Sequence, residues 1–263
     1  MVSGLLLYLL EVMEVLAEQR QQQILDMLAS RQVVKLKDIC QQTNCSASSA
    51  RRDLQLLEDQ GALVRIHGGA KAKHDLQREL DMTGKSTQNV SAKDKIAQLA
   101  VAKIADQEVI FLDAGTTTLA MVRYLQQKQH LTVVTNGVLH ASQLADQGIR
   151  TILVGGMLKN TTKAIVGTKA VRDLQHYRFN KVFLGANGVH DEYGLTTPDP
   201  EEAAVKQAAF AQAEETFVLA DGSKFEAVSF VKISDLEQAT IITTDLSRAV
   251  FDKYSRQTNI LEV

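Results

Sequence analysis

Apolar residues recur at helical spacing in two short stretches near the N-terminus, and a polar break separates them. Leu36 and Ile39 share one face of the first predicted helix, and the chain breaks at Thr43-Asn44. The second predicted helix follows Ser46, a residue type that suits the N-cap position. Its apolar face carries Ala50, Leu54 and Leu57. The pattern therefore predicts two packed helices joined by a tight turn.

The residues after the second helix change to an alternating pattern. Gly61 stands where a helix end favours a left-handed residue, and the run ALVRIH then alternates apolar with polar side chains up to the turn at Gly68-Gly69. This order predicts a winged helix-turn-helix, whose second helix enters the major groove of DNA. The candidates for DNA contact are Lys35, Ser46, Ser48, Ser49, Arg51, Arg52, Arg65, His67 and Gly68. The alternative is a small structural domain whose arginines are only solvated.

The charge distribution favours a nucleic-acid partner at this end of the chain. Residues 17–73 contain nine basic and six acidic side chains, a net charge of +3, whereas the whole chain of 263 residues carries −2. The basic excess is therefore confined to the segment that would meet the DNA phosphates.

Strand-like runs alternate with helical ones from Ser91 onward. SAKDKIAQLAVAKIA reads as an amphipathic helix capped by Ser91, and the later apolar runs end in Gly, Asn or Asp. These runs are EVIFLDAG, LTVVTNG, RTILVGG, KVFLGANG, ETFVLADG and TIITTD. Such runs are typical of strands that are buried on both faces of a parallel sheet. The sequence thus predicts an α/β domain with a largely parallel sheet, preceded by the small winged helix-turn-helix domain.

Polar residues cluster at the ends of these strands, where ligands bind in parallel α/β sheets. Gly115 permits a close turn, and the three threonines after it offer hydroxyl and N–H groups to an anion. Lys224 at another strand end adds a countercharge, so the pattern favours a phosphorylated ligand. The strand-end candidates are Asp113, Gly115, Thr116, Thr117, Thr118, Thr135, Asn136, Gly155, Gly156, Asn187 and Lys224. The alternatives are helix capping for the threonines, a solvated loop lysine at 224 and a plain turn at Gly155-Gly156.

Composition divides the chain into four predicted segments. They are an N-terminal extension (1–16), the winged helix-turn-helix domain (17–73), a polar linker that is partly helical from Asp75 to Met82 (74–90), and the α/β domain (91–263). The apolar hexad at residues 5–10 lacks a basic flank and is far shorter than the ~20 residues that a bilayer span requires. We therefore expect residues 1–12 to be an upstream extension, with helix packing as the alternative, and we expect no membrane partner.

The two cysteines, Cys40 and Cys45, both lie in the predicted helix-turn-helix. One is on an apolar stripe and the other is at a turn. We expect them to be reduced packing thiols of a cytoplasmic protein rather than a disulfide or a metal site. We expect neither a cofactor nor a bound metal.

Several of these residues carry a resemblance to a known family. Arg51–Leu54, Leu57-Glu58, Gly61 and Arg65–Ala70 resemble the DNA-binding signature of the DeoR family of bacterial repressors, although Ala50 stands where the family usually has a β-branched residue. The resemblance covers nearly all of residues 17–245. It implies an operator-binding repressor with a sensor domain similar to ribose-5-phosphate isomerase and to glucosamine-phosphate deaminase-type folds, which binds a phosphorylated sugar. Recognition of DNA half-sites favours a homo-oligomer, either a dimer or a tetramer.

The resemblance also implies roles for particular residues. It assigns the Gly115–Thr118 turn to phosphate, and the sugar or its phosphate to Asp113, Asn136, Asn187 and Lys224. Glu201, Glu202 and Lys206 would approach from the helix after Pro198 and Pro200; the alternative for Glu201 is an acid matched to the helix dipole. The stretches of residues 177–225 and 228–245 are especially similar to repressors of fructose-utilisation operons in low-GC Gram-positive bacteria. That similarity implies fructose 1-phosphate as the effector, followed by tagatose or other hexose phosphates.

The strand end at Asn187 argues against an enzyme. An isomerase of this fold needs a carboxylate as general base, and the related enzymes have a Gly-Ala-Asp-Glu type sequence where this chain has Asn187-Gly188. We therefore predict a binding pocket without catalysis. Two other interpretations are an isomerase with a DNA-binding appendage, and an activator or nucleoid-associated protein that ignores metabolites.

Overall fold

The computed structural model describes residues 17–28, 33–72, 76 and 81–263 of the chain. The chain divides into two compact units, residues 1–75 and 76–263. The extension predicted for residues 1–12 lies outside the described residues. Among the helices of the described part, none is long and apolar enough to cross a membrane.

The N-terminal unit is a three-helix bundle with a small antiparallel sheet. Its elements are α1 (17–28), β1 (Val33–Lys35), α2 (Leu36–Gln42), α3 (Ala47–Asp59), β2 (Leu63–Ile66) and β3 (Gly69–Ala72), with strand order β1-β3-β2. Ser46 caps α3 by accepting the N–H of Ser49 at 3.2 Å, and Gly61 has φ 70°. The predicted second helix, its cap and the left-handed glycine are therefore confirmed.

One core and one ion pair hold the three helices of this unit together. Ile24 of α1, Ile39 of α2 and Leu54 of α3 are all buried in the same cluster. The guanidinium of Arg20 donates to the buried carboxylate of Asp53 at 2.5 Å, which joins α1 to α3. Truncating one partner of such a buried pair is costly, because the other charge is left uncompensated.

The C-terminal unit contains a sheet of seven parallel strands that is covered by helices on both faces, and two smaller sheets beside it. Its strands are β4 (Val109–Leu112), β5 (Thr132–Thr135), β6 (Arg150–Leu153), β7 (Met157–Leu158), β8 (Ile165–Val166), β9 (Phe179–Gly185), β10 (Gly188–His190), β11 (Gly194–Thr197), β12 (Ala213–Leu219), β13 (Val231–Ser234), β14 (Thr240–Thr243) and β15 (Asn259–Glu262). Its helices are α4 (Met82–Ser86), α5 (Val90–Ala102), α6 (Thr116–Val122), α7 (Val138–Asp146), α8 (Thr168–Gln175), α9 (Pro200–Phe210) and α10 (Arg248–Tyr254).

The large sheet has the order β15-β14-β12-β9-β4-β5-β6, and every pairing between neighbours is parallel. Successive residues of β4 point to opposite faces: Phe111 joins the core under α8, α9 and α10, whereas Ile110 and Leu112 join the core under α5, α6 and α7. The predicted α/β fold with a largely parallel sheet is confirmed. Antiparallel pairs β7-β8 and β10-β11-β13 form two smaller sheets.

The strand order creates a crevice between β4 and β9. The sheet grows from β4 through β5 to β6, and the chain then returns to place β9 on the other side of β4. Loops that leave these two strands at their carboxyl ends diverge, and such a switch point is where ligands bind in open α/β sheets. The Asp113 and Asn187 loops follow these two strands.

The start of the C-terminal unit differs from the sequence prediction. Residues 76–90, which were predicted as linker, group with this unit, and the main-chain N–H of the buried Met82 donates to Thr161 O at 2.9 Å. The helix predicted over residues 75–82 lies mostly outside the described residues; the described helix α4 begins at Met82. Ser91 is not the cap of α5, because the helix begins at Val90 and its N-cap is Asn89, which has φ 51°.

Candidate functional site

A cleft opens at the carboxyl ends of β4 and β9. It brings together most of the predicted effector residues: Asp113, Gly115, Thr116, Thr117, Asn187, Glu202, Lys206 and Lys224. It also contains Asp221, from the same strand end as Lys224, and residues that the sequence did not single out, namely Met82, Lys85, Gln88, Asn89, Lys93 and Thr162.

The Asp113 side chain connects the loop after β4 to the end of β9 and to α9. Its carboxylate accepts the main-chain N–H of Gly185 at 3.0 Å, which fixes it to the end of β9. The same Oδ2 atom accepts the ammonium of Lys206 from α9. Both side chains are almost completely buried, so their opposite charges neutralise each other in a poorly solvated place. This contact fixes one wall of the cleft.

The three threonines after Gly115 have different roles. Thr116 and Thr117 line the cleft, whereas Thr118 is fully buried. The hydroxyl of Thr118 accepts the N–H of Gly115 at 3.0 Å and donates to Asp113 O at 2.6 Å. His140 Nε2 lies 3.1 Å from the same hydroxyl, and burial lowers the pKa of His140 to about 4, so that its ring is neutral. Thr118 therefore shapes the turn and does not face the cleft.

The structure places four other candidates away from the cleft. Thr135 donates to Leu112 O at 2.6 Å, and Asn136 Oδ1 accepts the N–H of Ala114 at 2.9 Å. Both side chains therefore hold the main chain on either side of Asp113 in place. Gly155 and Gly156 follow β6, which lies at the edge of the sheet and not at the crevice. Gly156 has φ 151°, and a Cβ there would lie 2.5 Å from Val166 O, so its backbone conformation and packing explain the glycine.

Three lysines meet at the other wall of the cleft. Lys93 is only 7% exposed and donates to Lys85 O, while Lys224 follows β12. Burial lowers the pKa of Lys93 to about 8; Asp221 opposes this effect, and the charges of Lys224 and Lys85 add to it. Burial also lowers the pKa of Lys224, against the attraction of Asp221. Two ammonium groups of this wall, those of Lys93 and Lys224, are therefore poorly solvated.

Asp221 compensates only part of this charge. Burial acts to raise its pKa, but Lys224, Ser223 and Asn89 together bring the pKa below its ordinary value, so it is a carboxylate. Its Oδ1 atom accepts Asn89 Nδ2 at 3.1 Å. This one carboxylate therefore faces the ammonium groups of both Lys93 and Lys224. Lys93 could have been found from the sequence, because it lies on the same helical face as the buried Ile96, Ala97 and Ala100.

Asn187 and Glu202 complete the cleft with their hydrogen-bonding groups partly occupied. The Thr197 hydroxyl donates to Asn187 Oδ1 at 3.2 Å, which leaves the amide NH₂ as the group for a ligand. Glu202 accepts the Thr162 hydroxyl at 2.6 Å and the Lys159 ammonium at 3.0 Å. Glu201 is exposed at the start of α9, where Asp199 caps the helix through the N–H groups of residues 201 and 202.

The candidate DNA-contacting residues form two groups in the N-terminal unit. Ser48, Arg51 and Arg52 are exposed on α3 and Ser49 is partly exposed, whereas the Ser46 hydroxyl is used by the cap. His67 and Gly68 form the exposed turn of the hairpin, and Lys35 lies opposite Gly69 in the β1-β3 register. Arg65 is held by Glu58, through its Nε at 2.7 Å and its N–H at 2.9 Å.

Comparisons with known proteins agree with these two units. A profile described as the DeoR-like helix-turn-helix domain matches residues 20–75, and one described as the DeoR C terminal sensor domain matches residues 88–246. A solved ribose 5-phosphate isomerase A from Methanocaldococcus jannaschii overlays with a TM-score of 0.41 and 20% identity, covering 52% of this chain and 55% of that one. An overlay at that level carries no conclusion about activity.

Three relatives match over most of their length. The Bacillus subtilis (strain 168) protein described as the uncharacterized HTH-type transcriptional regulator FruR is 45% identical over 92% of this chain and 97% of its own. The HTH-type transcriptional repressor GlcR of the same organism is 33% identical over 87% and 88%. A lactose phosphotransferase system repressor of Staphylococcus epidermidis is 32% identical over 86% and 91%. These relatives are regulators, in agreement with the prediction of a regulator rather than an enzyme, and the chain belongs to the DeoR family of transcriptional regulators.

Proposed function

We propose that this regulator represses a sugar-utilisation operon and that a phosphorylated sugar, with fructose 1-phosphate as the first candidate, releases it from the operator. The observation that carries the effector proposal is the lysine wall formed by Lys93 and Lys224, whose ammonium groups are both poorly solvated. Poorly solvated ammonium groups gain most from a doubly charged phosphate, which offers three strong acceptor oxygens. The name FruR of the Bacillus relative supports fructose phosphates as the first ligands to test.

The opposite wall suits the hydroxyl groups of a sugar. Asp113 and Lys206 offer an acceptor and a donor, and the Asn187 amide adds a second donor. The Asp113 carboxylate already accepts hydrogen bonds from Lys206 and from the Gly185 N–H. This arrangement favours binding over isomerisation.

Operator binding is assigned to α3 and to the hairpin turn. Arg51 and Arg52 are exposed on successive positions of α3, and Lys35, His67 and Gly68 lie together at the hairpin. In a winged helix-turn-helix, the second helix usually contacts the bases and the hairpin usually contacts the DNA phosphates. We propose that the protein acts as a dimer or a larger homo-oligomer on paired half-sites, in the cytoplasm, where bacterial operator DNA is found.

A ligand screen tests the effector proposal directly. The full chain is used to select an operator from a random duplex library, and its affinity is then measured with fructose 1-phosphate, fructose 6-phosphate, tagatose phosphates, free fructose and inorganic phosphate. We expect a hexose phosphate to raise the melting temperature and to weaken operator binding. Free fructose should do neither, because it lacks the charge that the lysines require.

The variants Lys224→Met and Arg150→Met separate the cleft from general charge effects. Each removes one positive charge, but Arg150 is exposed on β6 and outside the cleft. We expect only Lys224→Met to lose the response to the sugar phosphate while retaining operator binding. An equal response of both variants and the parent chain would rule out the cleft as the effector site.

A further inference from the structure

The two cysteines of the chain flank the turn between α2 and α3. Asn44 is left-handed with φ 49°, and the N–H of Cys45 donates to Cys40 O at 3.2 Å. This is the Schellman arrangement of a helix end, which brings the side chains at these two positions together. Both side chains are partly exposed, and both pack against the same core.

The surroundings of the two sulfur atoms differ. The Thr43 hydroxyl lies 3.2 Å from Cys45 Sγ and 2.8 Å from Ile39 O, so it shares its proton between them. Burial raises the pKa of the Cys40 thiol. Cys45 therefore has a hydroxyl group beside its sulfur atom, which suits it as the attacking thiol, and Cys40 supplies the second thiol.

We propose that hydrogen peroxide converts Cys40 and Cys45 into a reversible disulfide, and that this disulfide lowers the affinity of the protein for its operator. The Cys45 thiolate attacks one peroxide oxygen, the O–O bond breaks, and the released hydroxide takes a proton to give water. The Cys40 thiol then attacks the sulfenic sulfur, forms the S–S bond and releases a second water. Two thiols are oxidised by two electrons and one peroxide is reduced; a dithiol restores the pair by exchange.

The position of the bond explains its effect on DNA binding. A disulfide requires sulfur atoms about 2.05 Å apart, far closer than two thiols in van der Waals contact. Closing that distance pulls Cys45 towards the last turn of α2. Ser46, the next residue, caps α3, and Arg51 and Arg52 follow on that helix. The bond therefore shifts the start of the helix that carries the proposed base contacts, and this second half of the inference rests on the proposed function.

The full chain tests the inference in two measurements. Trypsin releases residues 38–51 as one peptide that holds both cysteines. After peroxide treatment we expect this peptide to lose the mass of two hydrogen atoms and to regain it with dithiothreitol. Over the same cycle, operator affinity measured by fluorescence anisotropy should fall by about tenfold or more and then recover.

Cys45→Val and Cys40→Ala are the matched controls, since neither can form the bond. Peroxide should leave their operator affinity unchanged, and the melting-temperature shift with fructose 1-phosphate should be the same in the oxidised and reduced parent chain. The inference is overturned if the peptide keeps its mass, if the disulfide forms without loss of affinity, or if the variants lose affinity as the parent does. If the reduced chain binds no operator, the proposed function fails, while the peptide mass still decides the chemistry.

Discussion

At the scale of single residues, the Gly115–Thr118 turn shows how closely related side chains divide their tasks. The residue types alone predicted an anion-binding turn, because glycine and threonine suit it. They could not show that Thr118 points inward, since its partners are Asp113 O and the distant His140. Side-chain direction at such a turn is set by tertiary contacts that the local sequence does not contain.

The variants Thr117→Val and Thr118→Val should therefore behave differently. Thr117→Val removes a hydroxyl from the cleft, and a hydrogen bond to a charged phosphate contributes about 1.5–3 kcal/mol, so effector affinity should fall about 10- to 100-fold with little change in stability. Thr118→Val leaves the Gly115 N–H without its acceptor and should destabilise the fold by about 1–3 kcal/mol. Titration calorimetry and thermal unfolding measure both effects. Equal losses of affinity and stability in the two variants would contradict this division.

Effector affinity should depend on pH through Lys93. Its pKa is about 8 in the free protein because of burial and the nearby Lys224 and Lys85, with Asp221 opposing. A bound phosphate raises that pKa, so above pH 8 binding must take up a proton and affinity falls, by up to about tenfold per pH unit. The phosphate itself is already doubly charged there, since its second pKa is about 6.

Calorimetric titration from neutral pH to about pH 9 checks this dependence. Lys93→Met should weaken effector binding at neutral pH and flatten the dependence of affinity on pH. The pH dependence that remains should come from Lys224, whose pKa is also lowered by burial. A parent chain with constant affinity over this range would show that Lys93 does not meet the phosphate.

At the scale of elements, the sequence predicted the helices and strands that depend on local periodicity, but it did not predict the position of each strand within the sheet. The α3 helix, its Ser46 cap and the strands that became β4, β5, β9, β12 and β14 follow from spacing and turn residues. The run RTILVGG looked like a strand buried on both faces, yet β6 lies at the sheet edge and is partly exposed. A strand at an edge and a strand at the centre can have the same apolar sequence.

The α3 helix gives a prediction at this scale. Arg51→Ala or Arg52→Ala should cost about 1–3 kcal/mol of operator binding if the side chain contacts a guanine, and should reduce the salt dependence by about one unit if it contacts phosphate. Arg248→Ala is the charge-matched control, because Arg248 is exposed on α10 of the other unit. Anisotropy titrations at several salt concentrations measure both quantities. If both α3 variants fold and bind the operator with wild-type affinity, α3 is not the helix that contacts the operator.

At the scale of the whole molecule, the cleft depends on a strand order that no local pattern contains. The sequence correctly suggested that polar residues at strand ends would meet, but only the return of the chain from β6 to β9 decides which ends are adjacent. Gly155 and Gly156 follow the edge strand β6, so they lie away from the crevice although they end a predicted strand. The lysines of α4 and α5 were not predicted as site residues, because they precede the first strand of the large sheet.

The assembled cleft should bind a hexose phosphate without converting it. Asp113, Glu202 and Asp221 are the carboxylates of the cleft, and each already accepts hydrogen bonds from at least two other groups of the protein. General-base catalysis typically contributes 10²–10⁴-fold, so without a free base no turnover above background is expected. Nuclear magnetic resonance of fructose phosphates after long incubation should show only the starting sugar. Isomerisation that disappears in Asp113→Asn or Glu202→Gln would favour the enzyme instead.

The contact between Asp113 and Lys206 spans 93 residues of sequence, and that between Asn89 and Asp221 spans 132. During synthesis, the described part of the N-terminal unit is complete once residue 72 has left the ribosome, whereas the cleft waits for residue 224. Premature stop codons between these positions would therefore spare the proposed operator surface and delete the proposed effector cleft. A genetic selection for strains that can no longer be induced should recover such truncations alongside missense changes in the lysine wall.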